Sequence, residues 1–298
     1  MEVNANKKRS GLKWVKLLLK IAVTVACLWY VSTKIDFREA GAAVKKASWV
    51  WLLAAFLVYM ISKLIGAKRL TIYFKNIGID LPVWQNIKLY WLGMFYNLFL
   101  PGAITGDAYK VILLTKEYKV SYKKTAAAVL LDRFSGLLSL GLILAIYSFF
   151  AINEQWIIAV LITGAFVAVP LLYFIIKKYF PDFQPGFWPA FFWGAAVQLT
   201  ILITVYFVLF ALHIHVDLDG YIFIFLVAAA ASVLPISVGG GVGVREFVIM
   251  EGAKYTGLDQ HTALLLSLLF YLITVACSLG GMAFLFKSPL EQNKVAGH

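Results

Sequence analysis

The sequence predicts an all-α integral membrane protein, and three observations carry that prediction. Apolar residues fill 62% of the 298 positions, against roughly 45–50% in soluble domains. They gather into runs of about the 20 residues that a helix needs to cross a hydrocarbon core. The runs are too long and too uniformly apolar for barrel strands, and lipid cannot satisfy an open backbone, so the spans must be helices. The mean hydropathy is +0.83.

Eight apolar segments follow one another along the chain. The first is Trp14 to Thr33, behind the basic start Lys7-Lys8-Arg9. It resembles a signal sequence at its start but lacks a small-residue cleavage site after Ala26, so it reads as a retained helix. The second runs from Trp49 to about Phe74, with Lys63, Lys68 and Arg69 marking its wet end. The third, Trp84 to Ile104, is broken by Pro101-Gly102. The fourth, fifth and sixth are Thr125 to Ile152, Trp156 to Ile176 (closed by Lys177-Lys178) and Phe187 to Leu212. The seventh, Tyr221 to Val238, is broken by Pro235 and a glycine cluster, and the eighth runs from His261 to Phe286. No connection is long enough for a soluble domain. The chain therefore divides into a basic tail (1–13), one membrane domain (14–287) and a short tail (288–298).

The third and seventh segments differ from the rest. Each ends in Leu-Pro, then a glycine-rich turn, then charge. Proline stops a helix and glycine permits a tight reversal. Paired Gly/Pro-interrupted segments in corresponding halves point to a transporter binding site.

The formal net charge is +12. In a soluble protein this would suggest nucleic acid. Here the Lys and Arg residues sit at the ends of apolar runs and in short loops, as the positive-inside bias produces, so nucleic acid is not expected as a partner. With a cytoplasmic N-terminus, a full third span would put Lys110, Lys116, Lys119, Lys123 and Lys124 outside. If that segment is re-entrant, the lysines stay inside. The turn at Asn153-Glu154 and the stretch from His213 to Asp219 then fall outside, and both termini fall in the cytoplasm. The exception is the 34–47 loop, whose Lys34, Arg38, Lys45 and Lys46 lie outside. The expected architecture is about six transmembrane helices plus two re-entrant helical hairpins. Residues 48–152 and 187–287 form a span, hairpin, span unit and its inverted copy.

Several polar residues stand out against this background. Asp107 and Lys110 share a helix face if the segment after Gly106 is helical. They read either as a headgroup site or as a surface ion pair. Asp132 and Arg133 are either costly intramembrane charges with a function or interfacial ones. Adjacent residues do not face each other on a helix, so they pair elsewhere, with Lys110 or Asp107 as candidates. Arg245 and Glu246 follow Ser237, Gly239, Gly240, Gly241 and Gly243, whose backbone N–H groups suit an anion nest. The bland alternative is helix capping. Asn97 lies near the first break, whereas Gln198 reads as an interhelical bond. His213 and His215 beside Asp217 and Asp219 read as a solvated loop rather than a metal site. Cys27 and Cys277 read as packing residues. No P-loop, Rossmann turn or nucleophile–base arrangement is present, so neither a cofactor, a metal nor a catalytic residue is assigned.

The segment Asn97-Leu98-Phe99-Leu100-Pro101-Gly102, with Gly106-Asp107, Lys110 and then Asp132-Arg133-Phe134-Ser135-Gly136, resembles the lysylphosphatidylglycerol synthase transmembrane family, also called the flippase-like domain. Leu234-Pro235-Ile236-Ser237-Val238-Gly239-Gly240-Gly241-Val242-Gly243-Val244-Arg245-Glu246 is similar to its second signature. The chain departs from the family pattern in having Thr105 before Gly106 and lysine at 110, which bears on headgroup preference. The aminoacyl-transferring domain of the full synthases is not expected, leaving a stand-alone membrane domain.

What the resemblance implies is a lipid translocase, not an enzyme, in the cell inner membrane. It would move a phospholipid or a polyprenyl-phosphate-type lipid between leaflets. The expected partners are membrane lipids with an anionic headgroup, and a homo-oligomer is left open. The expected substrate-binding residues are Asn97, Asp107, Lys110, Asp132, Arg133, Ser237, Gly239, Gly240, Gly241, Gly243, Arg245 and Glu246. Two alternatives are weighed beside this one. One is a membrane enzyme using Asp107, Asp132 and Glu246 on a lipid-linked group. The other is a non-transporting subunit of an envelope-lipid synthesis complex.

Overall fold

Hydrocarbon offers no partner for a backbone N–H or C=O, so a spanning segment has to bond its peptide groups within its own helix. The computed structural model describes residues 37–100, 104–233, 244–285 and 289–290, and every element among them is helical. In chain order these are α1 (Phe37–Lys46), α2 (Trp49–Asn76), α3 (Val83–Phe99), α4 (Thr105–Tyr118), α5 (Tyr122–Ala151), α6 (Gln155–Tyr179), α7 (Phe187–Ala211), α8 (Leu218–Ser232), α9 (Val244–Thr256) and α10 (Gln260–Leu279). Short 3-10 turns precede α7 (Pro181–Gly186) and follow α10 (Gly280–Phe284). Five stretches are long and apolar enough to cross a membrane: Trp49–Asn76, Tyr122–Ala151, Gln155–Tyr179, Pro181–Ala211 and Gln260–Phe284. The protein is thus an all-α, multi-pass membrane protein. The expected first span, Trp14 to Thr33, lies outside the described residues, as does the end of the seventh apolar run.

The termini of these helices follow from local chemistry. α2 stops at Gly78, whose φ of +80° only glycine adopts freely. The Gly78 N–H donates to Lys75 O at 3.1 Å and the Ile79 N–H to Phe74 O at 3.0 Å, the paired closure of a Schellman end. α7 ends in the same way. The His213 N–H donates to Phe210 O and the Ile214 N–H to Leu209 O, both at 3.0 Å. α10 is opened by Asp259, which accepts the Thr262 N–H at 2.7 Å. Hydrogen bonding to Thr262 holds this carboxyl below its usual range.

After α2 and after α7 the chain does the same thing. Connectors of equal length, residues 77–82 and 212–217, lead into a pair of antiparallel helices. Connectors of equal length, residues 119–121 and 257–259, lead out again. In the first pair the Tyr118 hydroxyl donates to Asp80 O at 3.4 Å, so α4 ends beside the point where α3 began. α3 and α4 touch most closely where Gly106 meets Gly93. A methyl group on Gly106 would overlap the Gly93 carbonyl, and the Tyr96 and Tyr109 rings meet edge-on at 4.9 Å. In the second pair, Gly252 lies against Ile224 and Gly220 against Leu258, so α9 likewise returns beside the start of α8.

The two halves pack around a common centre. α2 and α7 run antiparallel and share the largest helix–helix interface among the described residues. Contacts mark both of its ends: the Ser48 N–H donates to Ala211 O at 2.9 Å, and Asn76 Nδ2 to Phe183 O at 3.3 Å. α5 packs on α7 and α8, and reciprocally α10 packs on α2 and α3. α6 rests on α5 and the 3-10 turn before α7. Only Ala165 and Ile176 of α6 are buried, while Phe166, Val167 and Phe174 face outward as a lipid-contacting surface would.

One sequence reading is corrected. Lys63 and Arg69 do not mark a wet end of the second span. α2 continues to Asn76, which leaves Lys63 at its midpoint and Arg69 buried at 6% exposure. The stop signal is Gly78, not the first cation in the apolar run.

Candidate functional site

The interior charges are organised by α5. Successive helical residues point about 100° apart, so Asp132 and Arg133 serve different neighbours. Asp132 turns to α2, where Arg69 grips it at two points. Nε donates to Oδ1 at 2.7 Å and Nη2 to Oδ2 at 2.9 Å. The guanidinium lies in a slot made by two glycines. A Cβ on Gly136 would come within 2.8 Å of Arg69 Nη1, and one on Gly194 within 3.5 Å of the same atom. One turn away the Tyr73 and Ser135 hydroxyls share a hydrogen bond at 2.5 Å. Arg69, Asp132 and Ser135 are all buried. This is a closed, satisfied pair, and it places Asp132 in the scaffold rather than at an open site.

Arg133 turns to α4. Its Nε donates to Asp107 Oδ2 at 2.5 Å, while Lys110 Nζ donates to Asp107 Oδ1 at 3.0 Å. One carboxylate is therefore shared by two cations. Lys110 Nζ also lies 4.9 Å from the centre of the Tyr90 ring, a favourable cation–π placement. Its stem crosses Gly93, where a Cβ would overlap it. The side chains of Asp107 and Lys110 are 11% and 6% exposed, whereas that of Arg133 is 30% exposed. The group thus has one open edge, and a cation stands at it. Asn97 does not join this cluster. Its amide oxygen accepts the Gly106 N–H at 2.7 Å and fixes the start of α4.

The second helical pair also carries an acid and a base near the start of its second helix. Arg245 Nη2 donates to Glu246 Oε1 at 3.0 Å, and the guanidinium lies 5.2 Å from the centre of the Tyr271 ring. Arg245 is buried, and its Nε has no hydrogen-bond partner among the described residues. Tyr271 packs in turn with Phe95 and Phe99 of α3, so it stands between the two helical pairs. The expected nest residues Ser237, Gly239, Gly240, Gly241 and Gly243 lie outside the described residues. Gln198 Nε2 donates to Gly136 O at 3.1 Å and bonds two helices together.

Sequence reasoning missed Arg69, Tyr73, Tyr90 and Lys63. Lys63 Nζ lies 4.1 Å from the centre of the Tyr59 ring, half-way along α2. With it, among the described residues, five interior cations (Lys63, Arg69, Lys110, Arg133, Arg245) face three carboxylates (Asp107, Asp132, Glu246), an excess of two positive charges. A mixed cavity of about 310 Å³ between α2 and α3, near the end of the bundle, is lined by Lys68 and by Lys75 and Asp80, which pair at 3.5 Å.

A multi-pass helical bundle with paired half-length helices and a charge-bearing interior defines a membrane protein built to hold polar groups inside. Its family is defined by comparison. The model of the lysylphosphatidylglycerol synthase TM region matches residues 17–281, and the chain belongs to that family. It is also similar to a UPF0104 membrane protein of Pyrococcus horikoshii, 24% identical over 170 residues. That alignment covers 56% of this chain and 50% of the archaeal protein, so it spans half the length of the relative it matches.

Proposed function

We propose that the protein moves a lipid with an anionic headgroup, a phospholipid or a polyprenyl phosphate, between the leaflets of the cell inner membrane. The observation that carries this reading is Asp107 shared between Lys110 and Arg133, with Arg133 at the open edge. A charged headgroup cannot cross hydrocarbon cheaply. The two surplus positive charges among the described interior residues replace its water shell, and a phosphate competes with Asp107 for Lys110 and Arg133.

In this reading α3–α4 and α8–α9 are re-entrant hairpins of an inverted repeat. The equal connectors, the matching ends of α2 and α7 and the reciprocal packing of α5 and α10 support it. α4 and α9 both start in the interior, so their positive dipole ends, each about half a charge, add to the attraction. Exposed Lys75, Lys116, Lys119, Lys123, Lys124, Lys177 and Lys178 gather at one end of the bundle, which we assign to the cytoplasm by the positive-inside bias. Acid–base chemistry on a lipid-linked group is less well supported, because Asp107, Asp132 and Glu246 each sit against a cation.

The test is reconstitution into liposomes carrying fluorescent phosphatidylglycerol, phosphatidylethanolamine or a polyprenyl phosphate. Leaflet exchange is scored by chemical quenching of the outer label. Protein-dependent exchange of an anionic lipid, lost in Arg133→Gln, is the expected result. Exchange equal to that of empty liposomes for every lipid refutes the proposal.

A further inference from the structure

Two apolar cavities, of about 400 Å³ and 440 Å³, lie end to end beneath α6. The first runs between α5 and α6, the second between these helices and the α8–α9 pair. Leu144 and Leu161 line both, so the two form one continuous groove. Along α6 it extends from Ile175 to Ile157, about 27 Å at 1.5 Å per residue. That is close to the full hydrocarbon thickness of roughly 30 Å. Its width comes from small residues. At Gly141 on α5 and Gly164 on α6, an added Cβ would meet nothing within 4 Å.

The groove is open along its length, with Phe134, Val160 and Leu171 exposed on its walls, so it faces the hydrocarbon of the bilayer, whose chains are at hand to fill it. The occupant has to be apolar and thin. A hydrocarbon chain meets both requirements. The charge pattern then fixes which hydrocarbon. Leu137 lines the groove one helical turn after Arg133 and on the same face of α5, and Phe134 lines it beside Arg133. The partly exposed guanidinium therefore stands at one end of the groove.

We propose that this groove seats an acyl chain of a lipid whose phosphate binds at Arg133 and Lys110. The proposal rests on the lipid-handling reading above and names the part of the lipid that the apolar half of the site recognises. Because the groove runs the depth of the core rather than one leaflet, the chain stays in apolar contact wherever the headgroup stands along its path.

The full-length protein is reconstituted with phosphatidylglycerol carrying a diazirine in mid-chain, irradiated, and digested for mapping of lipid adducts. Adducts should concentrate on the groove faces of α5 and α6, around Gly141 and Gly164. They should fall at least fivefold in Gly141→Leu and in Gly164→Leu, which fill the groove. An even spread over α6, including its outward Phe166 and Phe174, overturns the proposal. So does trapping of Gly164→Cys against a second copy or against the segment from Trp14 to Thr33. The parent map stands by itself if a filled variant fails to fold. Groove adducts without leaflet exchange would keep the groove and sink the transport reading. Normal exchange with evenly spread adducts would do the reverse.

Discussion

The Arg69–Asp132 pair gives the sharpest test of the assignments inside the bundle. Arg69→Met keeps the apolar stem and removes the charge, leaving Asp132 buried without its two-point partner. Asp132→Leu strands the guanidinium between Gly136 and Gly194 instead. Breaking a buried pair from one side costs about 3–5 kcal/mol, whereas replacing both members with apolar groups is often neutral. A membrane-embedded reference state finds substitute partners, which moves the expected cost to the lower end, about 3 kcal/mol. At about 2–4 °C per kcal/mol, each single variant should lower the apparent melting temperature by on the order of 10 °C. The double variant should return to within a few degrees of the parent. The assay is thermal loss of the monodisperse peak in detergent, read by fluorescence size exclusion at one fixed heating protocol, because such unfolding is kinetic. Two results would refute the reasoning. One is both single variants melting with the parent. The other is a double variant as damaged as the sum of the two.

Three further outcomes follow from the geometry. Arg133→Gln should leave the melting temperature within a few degrees of the parent, since its side chain is 30% exposed and Asp107 keeps Lys110. It should lower anionic-lipid exchange at least tenfold, and equal exchange in a liposome assay would remove Arg133 from the site. Gly106→Val should prevent the close approach of α3 and α4 and cut the yield of monodisperse protein several-fold, while Gly41→Ala, on α1 and with open space around it, should not. A cysteine at Lys116 or Lys177 should react with impermeant maleimide only from the cytoplasmic side, and one at Asp217 only from the opposite side. Labelling of position 116 from the Asp217 side would make α3 or α4 a full span.

How much of this was legible in the sequence depended on range. Helix positions are written locally, in runs of apolar residues and their Gly and Pro punctuation, so every described span falls within a few residues of its expected place. The interruptions in the third and seventh runs are equally local signals. The expectation that Arg133 pairs away from Asp132 came from helix geometry, and Asp107 is its partner. The partner of Asp132 lies 63 positions away on another helix. A cation inside an apolar run looks like a membrane edge until the helix end is known, which is why Arg69 was misplaced. Arg245 and Glu246 show the limit of a spacing rule. Adjacent side chains leave a helix in different directions, yet a long arginine at a helix start reaches back to its neighbour. Asn97 looked like a ligand for the right reason, its place beside the break, but its amide oxygen holds Gly106.

The bonds that join α5 to its neighbours have a mechanical consequence. Arg69–Asp132 and Tyr73–Ser135 tie it to α2, while Ser139 to Phe191 O, Gln198 to Gly136 O and Tyr147–Tyr206 tie it to α7. Such interhelical bonds average about 0.6 kcal/mol each in a membrane setting, and these are spread over most of the length of the helix. α2, α5 and α7 are therefore riveted into one stator that can neither roll nor slide helix by helix. α3 and α4 are pinned to it as well, by Asn86 Nδ2 to Ala67 O and by Arg133 to Asp107, so a shift of either has to break a directional bond. Amide exchange should be slowest along α2, α5 and α7 and begin in the half-length helices, so of the two cations that share Asp107, Arg133 rides on the stator and Lys110 on the part that yields first.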